Sequence, residues 1–359
     1  MNARLRSLLI ATLLTILAGA AQVFAQTDPL SALPTSDVVI FVDSRRIMTE
    51  IIPRVLAKDP ATLAKLTGAL AEVNQKTGIN ILSIERIVCG VRLLGPVGPK
   101  TKKEDVGITI IVRGDFNPEG LIAFLKKEGK GKQHEETYGG KIIYSEPPPD
   151  PPRTRTERAT VAVTVLDPTT LVIGDLPQVR ATIDAAAGNG RVDEALVRLA
   201  TRDSSAVIGM AGNVPPSVAE DLRQGAPSDE MAQGILKLVG MIKQIFASIG
   251  ATETDFNIIT GMRLGSPEQA QSISDMLLGI RQQVSAKLPG QNERDLINSL
   301  QISAQNDEVQ IRADIKNEIV QDLVASMAKP GKQTTTMKAT PGKPRTTTKS
   351  RRGRRRRGR

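Results

Sequence analysis

Two stretches of this chain share one plan, and that plan restricts the fold more than any other feature. TGINILSIERIVCGVRL (77–93) and IGATETDFNIITGMRL (249–264) each read as a helix ending in Gly, a polar turn, then a strand ending Arg-Leu. Each half then offers a helix opened by Pro, a hairpin and a closing helix. The order β-α-β-(β)-α-β-β-α recurs, over residues 26–190 and again over 191–328, which predicts an internal duplication. Helices alternating with antiparallel hairpins predict an α+β fold, with helices packed on one face of twisted antiparallel sheet. Whether the two α+β repeats share one sheet is not legible from pattern alone.

The local signals are as follows. VVIFVD (38–43) is an apolar β-branched strand. Ile47, Ile51 and Val55 then fall at helical spacing, as do Leu63, Leu66, Leu70 and Val73 after the Asp59-Pro60 start, and Gly78 stops that run. Residues 84–95 and 106–116 read as strands and 117–129 as a short helix. KGKQHEETYGG (130–140) reads as a polar loop and GGKIIYSE (139–146) as a strand. EPPPDPPRTRTER (146–158) is an extended exposed loop. Residues 159–175 form a hairpin turned at Asp167-Pro168, and Asp175 caps the next helix. In the second half SSAVIGMAG is a strand and PPSVAEDLRQG a short helix. A longer helix is expected from Met231 to Ile249, with Ile235, Leu238, Ile242, Ile245 and Ile249 on one face. DFNIITGMRLG is a strand. The following helix carries Ala270, Ile273, Leu277, Ile280 and Val284 on its stripe. A hairpin turned at Asn306-Asp307 and a final helix close the body.

The first 25 residues have arginines at 4 and 6, an apolar run from Leu8 to Leu17, and Val-Phe-Ala at 23–25. This is the layout of a secretory signal peptide cleaved between Ala25 and Gln26. The expected location is exported, periplasmic or extracellular. Cys89 is the single cysteine, so no intrachain disulfide can form; in an apolar strand it reads as an inert thiol. With six Phe, two Tyr and no Trp, the core must be aliphatic.

The net charge of +10 misleads. Thirteen of the 48 Lys/Arg lie between Lys329 and Arg359, where there is no acid. Setting aside these and the two leader arginines leaves −5 on residues 26–328, a mildly acidic body. The segment 329–359 is Thr/Pro/Gly-rich and nearly free of apolar residues, so it is expected to be a disordered arm. Its cluster of Lys349, Arg351, Arg352, Arg354, Arg355, Arg356, Arg357 and Arg359 suits sequence-blind, salt-sensitive binding of polyanions through forked guanidinium contacts. Without aromatics the arm has no base-stacking platform. The expected partner is an anionic envelope polymer or lipid surface, with no specific nucleic acid. Oligomeric state is not legible.

The opening LPTSDVVIFVDSRRIMTEIIPRVL (33–56) resembles exported bacterial α/β repeat proteins of no assigned activity. The resemblance implies export and no known chemistry. DVVIFVDSRRIM also looks like the first strand of a von Willebrand A domain, which ends in an Asp-x-Ser-x-Ser metal motif. Here Arg45 and Arg46 follow Ser44, both serine positions of the motif are lost, and Asp43 reads instead as a helix cap. The single histidine, His134, and the acid pairs Glu135-Glu136 and Asp193-Glu194 lie in polar contexts and form no catalytic or metal motif. No catalytic residue, cofactor site or metal ligand is expected. The sequence therefore points to a non-enzymatic envelope or periplasmic binding or scaffold protein, tethered by its tail. Two alternatives stay open: a nucleic-acid-associated protein using the Arg-rich tail, and an envelope hydrolase whose site is not recognisable from sequence.

Overall fold

The computed structural model describes residues 28–78, 80–95, 105–115, 117–128, 133–146, 160–223, 236 and 238–328. The leader, most of the Pro-rich loop and the whole cationic tail, including all eight polyanion-binding residues expected above, lie outside the described residues.

Strand β1 (Val38–Val42) runs into helix α1, built of Ser44–Arg46, a π-helical turn Ile47–Ile51 and a last turn Ile52–Val55. Asp43 caps it, its carboxylate accepting from the Arg46 N–H at 3.0 Å. Asp59 caps helix α2 (Pro60–Thr77) in the same way through Thr62, and Gly78 ends it at φ 71°. Next come β2 (Ile84–Leu93), β3 (Val106–Gly114) and α3 (Pro118–Glu128). Two hairpins follow, β4 (His134–Tyr138) with β5 (Lys141–Ser145) and β6 (Val161–Asp167) with β7 (Thr170–Asp175). Helices α4 (Leu176–Ala186) and α5 (Glu194–Ala200) lead to β8 (Ala206–Asn213) and α6 (Pro216–Arg223). The rest is β9 (Gln244–Ala251), β10 (Asp255–Arg263), α7 (Pro267–Lys287), α8 (Gln291–Ser299), β11 (Gln301–Gln305), β12 (Glu308–Lys316) and α9 (Asn317–Ala328).

The twelve strands among the described residues join one antiparallel sheet in the order β11-β12-β10-β9-β8-β1-β2-β3-β7-β6-β5-β4. The seam is β1 against β8, with Ile40 opposite Met210. The two halves of the chain therefore share one sheet.

Helices occupy both faces of this sheet, not one. Successive strand residues point to opposite faces. Val172 packs in the main core with Val179 and Ile183 of α4 and with Leu196 and Leu199 of α5. Its neighbour Leu171 packs on the other side with Leu121 of α3. Helix α7 shares that second face, where Ala270 and Ile273 close over Leu264 and Val309. The first face is sealed: Val39, Val88, Ile111 and Ala211 are fully buried and Phe246 nearly so. Burying a side chain of this kind contributes about 1.5–3 kcal/mol.

Several local expectations are corrected. The helix expected through Ile249 ends at Met241, and Gln244–Ala251 is a strand. Ile242, Ile245 and Ile249 do fall at helical spacing, but Phe246, Ser248 and Gly250 alternate with Ile245, Ala247 and Ile249. Ladders on both sides, to β8 and β10, decide the matter. Gly250 is consequently not a helix end, and the matched stretches hold strands at different places in the sheet, β2 beside β1 but β10 two strands from β8. His134–Tyr138 is a strand rather than a loop, joined to β5 by Gly139-Gly140 with φ 53° and 75°. Such a two-residue turn between extended runs is a hairpin signal. Helix α5 and helix α8 were not foreseen; Asp193, expected as plain exposed charge, caps α5 through Ala195 N at 2.8 Å. Asp175 precedes α4, but its carboxylate accepts from Ile108 N at 2.8 Å instead of capping. The α7 stripe is buried only at its start, and Ile280 is 47% exposed.

Candidate functional site

The second face of the sheet is apolar and half open. A row crosses five strands by direct pairing: Ile108, Val91, Val38, Gly212 and Ile245. Ile108 and Ile245 at its ends are 40% and 39% exposed. The next row holds Ile40, Cys89 and Ile110. Burial pushes the Cys89 thiol pKa up, which favours the neutral, unreactive form.

On this same face a groove of about 690 Å³ opens between α3 and the β5–β6 pair. Its floor is Ile142 and Tyr144 of β5 with Val165 of β6, and its wall is Ile122 and Ala123 of α3. The alternation of β5 places these residues: Ile143 points into the sealed core, so Ile142 and Tyr144 point out. Ile142 is 49% exposed. Two lysines mark the rim. Lys126 lies 5.1 Å from the centre of the Tyr144 ring and pairs with Glu135 at 2.8 Å, which raises its pKa. Lys141 donates to the Leu166 carbonyl at 2.6 Å. The volume lies within the ~300–1,000 Å³ range of small-molecule pockets. Asp167 also lines the groove, so its rim carries two cations and one carboxylate.

A second concavity, of about 260 Å³, is polar. It is lined by Pro29, Asp43, Arg45, Arg46, Glu85, Arg86 and Arg113. Arg45 is bonded to Glu85, and Arg113 lies 3.7 Å from the other oxygen of that carboxylate. Arg86 lies 3.9 Å from Asp28. The Arg46 guanidinium donates to the carbonyls of Ser205 at 3.2 Å and Ala251 at 3.1 Å.

The candidates weighed from sequence do not converge. His134 is an exposed residue of edge strand β4. Glu136 is bound by Arg180, and Glu194 pairs with Arg198 at 3.2 Å. Among the described residues no group of three His, Cys, Asp or Glu side chains could hold a metal ion. No helix among the described residues is long and apolar enough to cross a membrane. Sequence reading noted Arg45 and Arg46 only as an obstacle to metal binding and passed over Arg86, Arg113, Lys126 and Lys141. Gly139-Gly140, read from sequence as part of a polar loop, is the hairpin turn beside Lys141, and Gly140 lines the groove.

No family model matches this chain, and no curated protein does. Among solved structures it is similar to TP0453, over 84% of this chain in each case. Crystal form III gives a TM-score of 0.44 at 9% identity over 99% of that chain. Form I gives 0.42 at 9% and form IV 0.42 at 10%, each over 98% of that chain.

Proposed function

We propose that this is an exported, non-enzymatic binding protein of the cell envelope that takes a single-chain anionic amphiphile into the groove under α3. One observation carries the reading: an open slot lined by Ile122, Ala123, Ile142, Tyr144 and Val165, with Lys126 and Lys141 at its rim. Carbon-lined walls favour a chain by removing apolar surface from water, and the two lysines, which outnumber the single carboxylate of Asp167 in the lining, favour a negative head. The signal-like leader supports export. The tail from Lys349 to Arg359 would hold the body to anionic polymer or lipid, where the ligand is found.

Titration of the full-length protein with a long-chain fatty acid tests the groove, read by a fluorescent chain-length analogue. Ile142→Glu, which puts a charge on the floor at an exposed position, is expected to abolish binding; equal binding by the variant overturns the assignment. The tether is tested separately by sedimentation with anionic vesicles. Replacing Arg354, Arg355, Arg356 and Arg357 together by Gln should release the protein, and undiminished retention refutes tethering.

We also infer that the two halves are a duplicated unit. The support is the strand order outward from the seam. One side reads β1-β2-β3-β7-β6 and the other β8-β9-β10-β12-β11, with the β4–β5 hairpin as the addition that carries half of the groove.

A further inference from the structure

We propose that the arginine-lined pocket at the β1–α1 junction binds a small multiply charged oxyanion of the phosphate or phosphomonoester class. This does not depend on the amphiphile reading. Four guanidinium groups and two carboxylates line a cavity of about 260 Å³, room for an ion and several waters at ~30 Å³ each. The guanidiniums arrive from three elements: Arg45 and Arg46 from α1, Arg86 from β2, Arg113 from β3. Forks approaching from different sides suit a tetrahedral anion better than a planar carboxylate.

The sheet register supplies the second observation. Arg86 and Arg113 are direct cross-strand partners. Like charges directly opposite each other destabilise a sheet. Here the carboxylates near them stand at long range, Asp28 at 3.9 Å from Arg86 and Glu85 at 3.7 Å from Arg113, and an anion seated between the two strands would add closer contacts. A register shift between Ile84 and Arg86 inserts Glu85 at this point, and bulges of that kind re-aim side chains beside functional sites. Glu85 is shared between Arg45 and Arg113. Asp43 is committed to the α1 cap, where it accepts from Arg46 N. All three nitrogens of the Arg46 guanidinium are engaged, by the carbonyls of Ser205 and Ala251 on the far side of the seam and by Glu50 at 3.4 Å. Arg46 therefore walls the pocket, while Arg45, Arg86 and Arg113 are its anion donors. Glu85 thus acts as an internal competitor that a bound oxyanion displaces or joins.

The test is calorimetric titration of the full-length protein with inorganic phosphate at fixed ionic strength. The tail is present in every variant and cancels in the comparison. Loss of one charged donor should weaken binding at least about tenfold in Arg113→Gln. Glu85→Gln should tighten it severalfold, a change of opposite sign that a folding defect cannot imitate. Vesicles containing phosphatidic acid, set against phosphatidylcholine vesicles, form the second arm. Sensitivity to Arg113→Gln with soluble phosphate assigns a free ion or metabolite; sensitivity with vesicles alone assigns a lipid headgroup. Either result supports the site. Equal behaviour of wild type and both variants in both arms overturns it.

Discussion

Arg180 of α4 donates through Nε and an Nη to both oxygens of Glu136 on edge strand β4, at 2.7 and 2.6 Å. One residue pair thereby fastens the outermost hairpin to a helix of the sealed face, helped by Tyr138, whose hydroxyl donates to Asp184 at 2.9 Å. An edge strand has only one ladder, so such side-chain ties matter more there than in the middle of a sheet. The same hairpin carries Ile142 and Tyr144, so its position shapes the groove.

Arg180→Ala should cost about 1–2 kcal/mol, partly offset by solvent at this half-exposed site. The hydrogen bond from Arg180 holds the Glu136 carboxyl below its ordinary range. A depressed folded value means that the stabilisation is present above the unfolded carboxylate pKa and disappears as pH falls through the folded one. Hydrogen exchange of Glu135–Tyr144 amides should accelerate in the variant at pH 7, and wild type and variant should converge in acid.

A second carboxylate ties the turn ahead of β8 to strands β9 and β10 in the other half. Asp203 accepts from Ser205 N at 2.9 Å, Ser205 Oγ at 2.7 Å, Ser248 Oγ at 3.0 Å and Asn257 Nδ2 at 3.3 Å. Burial pushes this carboxyl up, but the hydrogen bonds from Ser205, Ser248 and Asn257 outweigh it and the net shift is downward. Asp203→Asn should destabilise by about 1–3 kcal/mol at neutral pH. The sign follows as for Glu136: the difference in thermal midpoint is full above about pH 4 and shrinks as acid protonates Asp203.

Gly209 of β8 faces the sealed core, where a Cβ would overlap the Phe41 ring and the backbone carbonyl of Ala200 at the end of α5. The Phe41 ring is itself buried in the core, and a helix carbonyl cannot move without shifting α5. Gly209→Ala should therefore cost about 3 kcal/mol through overpacking, read as a lowered denaturant midpoint with unchanged slope.

Cys89 is a built-in reporter of the open face. It pairs with Ile40 and Ile110, is half-buried, and has a raised pKa through burial. Its alkylation by iodoacetamide at pH 7.5 should be at least about tenfold slower in the native than in the denatured protein. An amphiphile reaching across this face should slow it further, whereas one confined to the groove under α3 should leave the rate unchanged.

Much of the local structure was legible because its causes are local. Asp43 and Asp59 cap the helices that follow them; Asp167-Pro168 and Asn306-Asp307 turn hairpins, with Asn306 at φ 53°. Each depends on a few neighbouring atoms. Gln244–Ala251 shows where such reading ends. Its apolar spacing serves a helix as well as a strand, and only the distant β8 and β10 make it a strand. The two concavities are of that second kind. Arg45, Arg86 and Arg113 come together because β1, β2 and β3 lie side by side, and Ile122 meets Ile142 because α3 folds back over the sheet. Sequence alone determined the α+β alternation, the caps and turns, and the separation of a mildly acidic body from a cationic end. Tertiary structure decided the single sheet, the helices on both of its faces and the two pockets, since these depend on pairings between residues far apart in the chain, which no local pattern encodes.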